Sequence, residues 1–377
     1  MQEVANLVMK ADGDRLRMAF TGDVALGPMV HSERDKNGSG AVFRSIGPTL
    51  KDVDMAIINF EGFVSNGCDT ARAKKKLAVH PALCNELVDG GVSVACLANN
   101  HIMDGGHDGL EETQESLRGL GIGFYGAGSC RASAEAPFYF ESNGLTGAIV
   151  GACDYSPYHA GRRRPGVAPM VESALLKRVA RLRKHRDVVI VTLHADLEFT
   201  PYPAPWRIRL CRALVDAGAM LVIQHHPHVI QGVDEYNGGV IAYSLGNTVF
   251  PIDGNHYQER REGVREGLIF LADIRLEPEG PKLTWSAVPH RITPQHFPEL
   301  LGGSEARQVM RRFRELCAGL DDSDLVRRIW RARSRGEVRA GLWNAYWKLR
   351  RHRWRAAAEE LKRLLLQSEL RRLWLPL

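Results

Sequence analysis

Short apolar-rich runs recur along residues 1–295 with amphipathic stretches between them. Leu16–Thr21, Ala56–Phe60, Val92–Leu97, Ala148–Cys153, Val188–Leu193, Met220–Ile223 and Val240–Tyr243 are such runs. Their lack of polar alternation predicts strands covered on both faces. The amphipathic stretches predict helices at Pro81–Val88, closed by Gly90–Gly91, at 108–120, closed by Gly121, at Val171–His185 and at Pro205–Ala217. Strand–helix repetition of this kind implies a sheet with helices on its faces. Beyond residue 305 the rhythm becomes helical throughout. Val309, Phe313 and Leu316 keep an i, i+3/i+4 spacing, as do Trp343 and Trp347, and then Leu361, Leu364 and Leu365. Ala356–Leu366 is rich in strong helix formers.

Composition narrows the class. The 377 residues are 44% hydrophobic and 25% charged, enough for two domains or one large domain with an appendage. No run approaches the roughly 18 apolar residues of a membrane span. Residues 1–16 carry Glu3, Lys10, Asp12, Asp14 and Arg15, too polar for a signal peptide, so a cytoplasmic protein, at most peripheral to a membrane, is expected. The cysteines are scattered without a CxxC pair, which argues against a disulfide framework and fits a reducing compartment. Charge is unevenly divided. Residues 305–377 hold 19 Lys and Arg against 9 Asp and Glu, and five of the seven tryptophans; the rest of the chain is net acidic. Two pieces therefore meet near Gly302–Gly303: a catalytic-type α/β domain over residues 1–300, and a basic, Trp-rich helical region over 301–377.

In an open α/β sheet, ligands bind beyond the carboxyl ends of the strands. Six of the predicted strands end in polar residues. Asp23 follows the first, Asn59 and Glu61 the second, and Asn99, Asn100, His101 and Asp104 the third. His194, Asp196 and Glu198 follow Val188–Leu193; His225, His226 and His228 follow Met220–Ile223; Ser244 and Asn247 follow Val240–Tyr243. Carboxylate, amide oxygen and imidazole suit a borderline divalent ion such as Mn²⁺, Fe²⁺ or Zn²⁺. No Cys lies in these clusters, which excludes a structural thiolate site there. A lone Gly-Asp or Asn-x-Glu carries little, and His194 alone would pass for a satisfied core histidine. His225-His226-Pro227-His228 is the sharpest signal, because imidazoles packed so closely beside a buried strand have little structural use.

The ordered set TGDVALG (21–27), INFEG (58–62), LANNHIMDGG (97–106), PGVAP (165–169), TLHADLEFTPYP (192–203), LVDAGAMLVIQHHPHVIQG (214–232) and IAYSLGNTVF (241–250) resembles CapA-type proteins of capsule and poly-γ-glutamate synthesis. These are similar in turn to the calcineurin-like metallophosphoesterase superfamily. The resemblance covers residues 16–295. It implies a four-layer α/β/β/α sandwich of metallophosphoesterase type, here with a C-terminal helical extension, and one or two divalent ions at the strand ends. Carried over by position, Asp23 and His228 would hold the first ion, Asn100, His194 and His226 the second, with Glu61 in the bridging place. His101 would protonate a leaving oxygen or bind substrate, and Asp104 would orient it. Asn59, Asn99, His225, Ser244, Asn247 and Arg163 are weaker, substrate-binding candidates.

Three positions depart from the superfamily pattern: Ala25 stands where a His is usual, Glu61 where an Asp is, and His194-Ala195-Asp196 where CapA-type proteins tend to have His-Trp-Gly. Asp196 is either a ligand or a charge that disfavours anions. Such an ion pair would hydrolyse phosphoesters or amides by activating water and stabilising charge on the attacked centre. Arg162–Arg164 and Lys74–Lys76 either clamp an anionic small molecule or polymer or form a solvated face. The expectation is a metal-dependent hydrolase in capsule, poly-γ-glutamate or related polymer biosynthesis. The alternative is a non-catalytic metal-binding accessory protein of a membrane-bound polymer synthase. The basic region has three readings: a helical subdomain packed on the catalytic domain, a membrane-surface or synthase-docking helix, and, least favoured, a nucleic-acid surface.

Overall fold

The computed structural model describes residues 7–8, 15–67, 77–154, 156–254 and 258–350, with Trp354, Ala356, Ala358 and Leu361 beyond them. Lys74–Lys76 and most of the helix expected at 356–366 lie outside the described residues.

Apolar runs become strands with two buried faces. Along Met55–Phe60, Met55 and Ile57 point to one core cluster and Ala56, Ile58 and Phe60 to another. Along Val188–His194, Val188 and Ile190 join the first cluster while Val189, Val191 and Leu193 join a third. The period of two thus assigns each apolar residue of a run to a core on one face or the other, and the polar residues within these runs, Asn59 and Thr192, lie near the carboxyl ends. Each fully buried Val, Leu or Ile contributes about 1.5–3 kcal/mol.

The protein is mixed α/β, with two central mixed sheets and a C-terminal helical segment. The first sheet has the order Leu7–Val8, Phe138–Ser142, Leu145–Cys153, Val188–His194, Leu221–His225, Gly239–Ala242, Val233–Tyr236. Its four strands from Leu145–Cys153 to Gly239–Ala242 are mutually parallel. The second sheet has the order Pro298–Leu300, Gly280–Ile292, Glu266–Glu277, Arg15–Val24, Met55–Phe60, Val94–Cys96, Gly123–Tyr125, and Asn247–Val249 also pairs with Arg15–Val24. Residues of both sheets share the cluster that holds Phe20, Ile57, Phe140, Ile190 and Ile223. Helices Cys84–Gly90 and Gly106–Gly119 cover the far side of the second sheet through Leu87, Leu110 and Leu117. Helices Glu172–Arg183 and Pro205–Asp216 cover the far side of the first through Leu175, Val179 and Leu214.

The hairpin Glu266–Glu277 and Gly280–Ile292 holds one more apolar run, Leu268–Ala272, which the strands expected above do not include. Its second strand alternates, with Lys282, Thr284 and Ser286 on one side and the half-buried Leu283, Trp285 and Ala287 on the other. A half-exposed strand carries the period-two signal instead of a continuous one.

Helix Gly303–Gly319 inserts Val309 and Phe313 into the intersheet cluster. Helix Ser323–Arg350 follows and docks through Val326 and the fully buried Trp330, which meets Trp206 edge to face at 5.2 Å. Among the described residues no helix is long and apolar enough to cross a membrane.

Strand register sets the functional residues side by side. Asn247 and Asn59 flank Asp23 in the second sheet, and His194 lies between Cys153 and His225 in the first. This closeness depends on Gly22, whose missing Cβ would stand 2.1 Å from the Gly246 carbonyl oxygen, beside the 2.9 Å bond from Asp23 N–H to that oxygen. Gly22→Ala is expected to destabilise the protein by about 1–3 kcal/mol or more, read as a lower urea midpoint, because backbone rather than a side chain must yield. An unchanged midpoint would show that the two segments part freely.

Candidate metal centre

Buried turns convert the strand ends into a cluster between the sheets. Asn99 builds the first. Its Oδ1 accepts from the backbone N–H of His101 (3.1 Å) and Ile102 (3.0 Å), while its Nδ2 donates to the Phe60 carbonyl (2.7 Å), so Asn100 and His101 project beyond the strand. Ser244 Oγ accepts from Gly246 N–H (3.3 Å) in the turn that leads to Asn247. Asn247 Nδ2 donates to the carbonyls of His228 (3.3 Å) and Val264 (3.0 Å). That fixes the amide, so its Oδ1 accepts from His228 Nδ1–H at 2.9 Å. With Nδ1–H committed there, Nε2 is the nitrogen of His228 that would ligate an ion once it gave up its proton. His226 and His228 both take positive φ (97° and 58°), as do Asp196 and Phe199 (82° and 58°). Non-glycine residues in that region cost about 1–3 kcal/mol each and tend to gather at functional sites.

The side chains meet across the sheets. Asn59 Nδ2 lies 2.8 Å from Asp23 Oδ1 and 3.3 Å from His194 Nδ1, and His194 Nε2 lies 2.8 Å from Asn100 Oδ1. His228 Nδ1 is 3.0 Å from Asp23 Oδ2, and its Nε2 is 3.9 Å from Glu61 Oε1. His225 Nδ1 stands 3.4 Å from Asp23 Oδ1. His101 Nε2 faces Glu61 Oε1 at 3.7 Å while its Nδ1 contacts Asp104 Oδ2 at 3.1 Å. By distance the donors form two groups, Asp23–Glu61–His194 and Glu198–His226–His228, each with its ligand atoms within 4.8 Å of one another. The resemblance places Asp23 with His228 and His194 with His226; the distance groups cut across that pairing, since all these donors share one cluster.

The charges hold one another in place. Burial alone would raise Asp23, but His225 and His228 beside it hold its carboxyl well below the usual range. Burial pushes Glu61 up to about 7, with His228 pulling the other way. His228, despite burial, is raised to about 10 by Glu61 and Asp23. Burial depresses His194 strongly, aided by the charge of His226, and depresses His226 as well. Burial would lower His101, but Asp104 and Glu61 raise it.

Several buried atoms in the cluster lack a hydrogen-bond partner: both carboxylate oxygens of Glu61, Nδ1 of His226 and Oδ1 of Asn59. A buried carboxylate with neither oxygen bonded carries a heavy desolvation cost. A divalent cation would relieve that cost, and the donor set of carboxylate, imidazole and amide suits Mn²⁺, Fe²⁺ or Zn²⁺.

Residues 17–252 match the family described as bacterial capsule synthesis protein PGA_cap. The chain belongs to this family. It is 32% identical over 242 residues to the PGA biosynthesis protein CapA of Bacillus subtilis (strain 168), covering 63% of this chain and 64% of that one. It is 32% identical over 253 residues to the capsule biosynthesis protein CapA of Bacillus anthracis, covering 64% and 62%. A probable polyglutamine synthesis accessory protein of Mycobacterium tuberculosis is 29% identical over 215 residues, covering 53% and 57%. The matches thus span less than two thirds of each relative. Among solved structures, TT1561 of Thermus thermophilus aligns over 71% of this chain and 98% of its own, at 11% identity and a TM-score of 0.38, too weak a likeness to carry an argument.

Two other positions of this PGA_cap-family chain, Arg163 and Ala25, fall outside the cluster. Arg163 is exposed in the turn Gly161–Arg164, and among the described residues no hydrogen bond or ion pair joins it to the cluster. Ala25 is packed with Val229, Phe250, Ile252 and Val264, an apolar site where a ligand would otherwise stand. Glu198 supplies a carboxylate to the group with His226 and His228, a role its place at a strand end does not reveal. The signal is indirect: a ligand missing at 25 and an acid four residues after His194.

Asp196 is bonded outside the donor cluster. Its Oδ1 accepts from Arg207 Nε (3.2 Å), and its Oδ2 from Ala204 N–H (3.2 Å) and Gln224 Nε2 (3.1 Å). Arg207, itself buried, also reaches Asp154 at 2.5 Å. Asp196→Asn is expected to cost about 3 kcal/mol of stability, as breaking a buried pair does, while divalent-metal content stays at the wild-type level. Lost metal with unchanged stability would return Asp196 to the ligands.

Proposed function

We propose that this chain is a CapA-type metal-dependent hydrolase, acting on a phosphoester or amide in capsule, poly-γ-glutamate or related polymer biosynthesis. One observation carries the reading: Glu61, buried with both oxygens unbonded, stands among imidazoles between two sheets. The two-sheet core with helices on both outer faces supports a four-layer sandwich of metallophosphoesterase type, residues 1–300 forming the metal-bearing unit and 301–377 its extension.

Asp23, Glu61, His194 and Asn100 would hold one ion, and Glu198, His226 and His228 the other. Bound there, divalent ions supply Lewis acidity and an activated water. The protein's own groups do the rest. Asp104 holds the Nδ1 edge of His101, so Nε2 faces the cluster. His101 is only partly buried, its side chain 33% exposed, and can reach a substrate. It is the group placed to give a proton to a leaving oxygen or nitrogen. Asn247 and Asn59 fix the orientations of His228 and Asp23 through their amides.

A second reading is an accessory protein that holds metal without turnover and docks on a membrane-bound synthase, like the accessory role in the mycobacterial relative's name. It is favoured by the exposed Leu342, Trp343, Tyr346 and Trp347 on a helix that also carries Arg335, Arg339 and Arg350. Metal analysis with a screen of aryl phosphates and γ-glutamyl anilides separates these readings. The hydrolase reading expects bound Mn, Fe or Zn, loss of metal in His226→Ala, and metal retained with turnover lowered about 10²–10⁴-fold in His101→Ala. Metal without turnover, together with salt-sensitive retention on anionic vesicles, would favour the accessory reading. A protein that takes up no divalent metal would end both.

A further inference from the structure

The Glu198–Phe199 backbone is gripped from two directions. On one side Phe199 N–H donates to the Pro227 carbonyl at 2.7 Å, between His226 and His228. On the other, Arg333 of the C-terminal helix Ser323–Arg350 donates from both Nε and Nη2 to the Glu198 carbonyl, at 3.2 Å each. The Arg333 guanidinium also lies 5.9 Å from the centroid of the Phe199 ring, and that ring stands 6.1 Å from His228.

The helix that carries Arg333 is seated beside this loop. Trp330, one turn earlier, packs with Leu197, Ala204 and Trp206, so the residue next to Glu198 belongs to the same apolar cluster. Ser334 Oγ donates to the Trp330 carbonyl at 2.9 Å and is itself buried. Phe199 has φ of 58°, a left-handed conformation that a bulky residue keeps only when its surroundings impose it. The paired N–H groups of Arg333 and the Pro227 carbonyl are two such constraints.

We infer that Arg333 is a positioning residue for the metal centre: it holds the Glu198 loop so that the Glu198 carboxylate can share a divalent cation with His226 and His228. The C-terminal extension would then supply part of the order of a site whose ligands all lie before residue 230. The inference rests on the metal reading above. It goes beyond it in naming residue 333, outside the 17–252 family match, as a determinant of metal affinity.

The test is titration of the full chain with Mn²⁺ alone, following free Mn²⁺ by its EPR signal, with circular dichroism and a thermal midpoint on each variant. Wild type is expected to bind Mn²⁺ in two distinguishable steps. Arg333→Ala should weaken one step about 10–100-fold, the usual effect of losing a group that orients a ligand, and leave the other in place. Glu198→Gln should weaken the same step, and the double variant should add little, since the two changes act through one loop. Arg333→Lys, which keeps one donor, should restore part of the loss. Mn²⁺ steps unchanged in a folded Arg333→Ala protein would overturn the inference. So would equal weakening of both steps with a lowered thermal midpoint, which marks general loosening, or Mn²⁺ binding that ignores Glu198→Gln. Wild type that binds no Mn²⁺ overturns the metal reading itself, before any variant is compared.

Discussion

Two carboxylates, Asp23 and Glu61, are withdrawn from water and surrounded by imidazoles at the place where two sheets meet. Everything else around them follows from that burial. A carboxylate with no hydrogen bond in a low-dielectric interior needs a compensating positive charge. His228 offers one such charge: Glu61 and Asp23 raise it despite burial, and it pulls Glu61 down against the stronger effect of burial. A cation held by the same donors would offer another. The strained backbone at His228 is held by Asn247, which bonds both the imidazole and the backbone carbonyl of that residue.

The central strands were legible because each is buried on both faces, so apolar continuity marked them without ambiguity. Their ends were legible too, since polar residues that break such runs gather where the strands stop. The hairpin of Glu266–Glu277 and Gly280–Ile292 is legible in its first strand, where Leu268–Ala272 is apolar without a break, although it is absent from the expected strands; its second strand has one solvated face and its apolar residues alternate. Glu198 was legible as a polar residue after Val188–Leu193, but its grouping with His226 and His228 was not. It lies beyond the strand, past a turn that Asp196 and Arg207 stabilise, and a ligand placed by a loop has no periodicity to show it. Arg333 is further still from any pattern, being one arginine of many on a basic helix.

The C-terminal helices carry two kinds of surface. Val309, Phe313, Val326 and Trp330 are buried against the sheets and their helices, while Trp343, Tyr346 and Trp347 cluster in solvent with ring centroids 5.6–5.9 Å apart. The first set ties the segment to the core, and through Arg333 to the loop that bears Glu198. The second is free to meet something outside. One helix therefore joins an inward contact near the candidate site to an outward aromatic and cationic face, an arrangement suited to linking attachment with the order of the site.

The central claim is that distant strand ends share a cation. A crystal soaked in Mn²⁺ and measured at the manganese absorption edge addresses it directly. Anomalous density should lie against Glu61, with a second peak toward Glu198, His226 and His228. An empty anomalous map at these residues, in a crystal that shows them ordered, would contradict the claim.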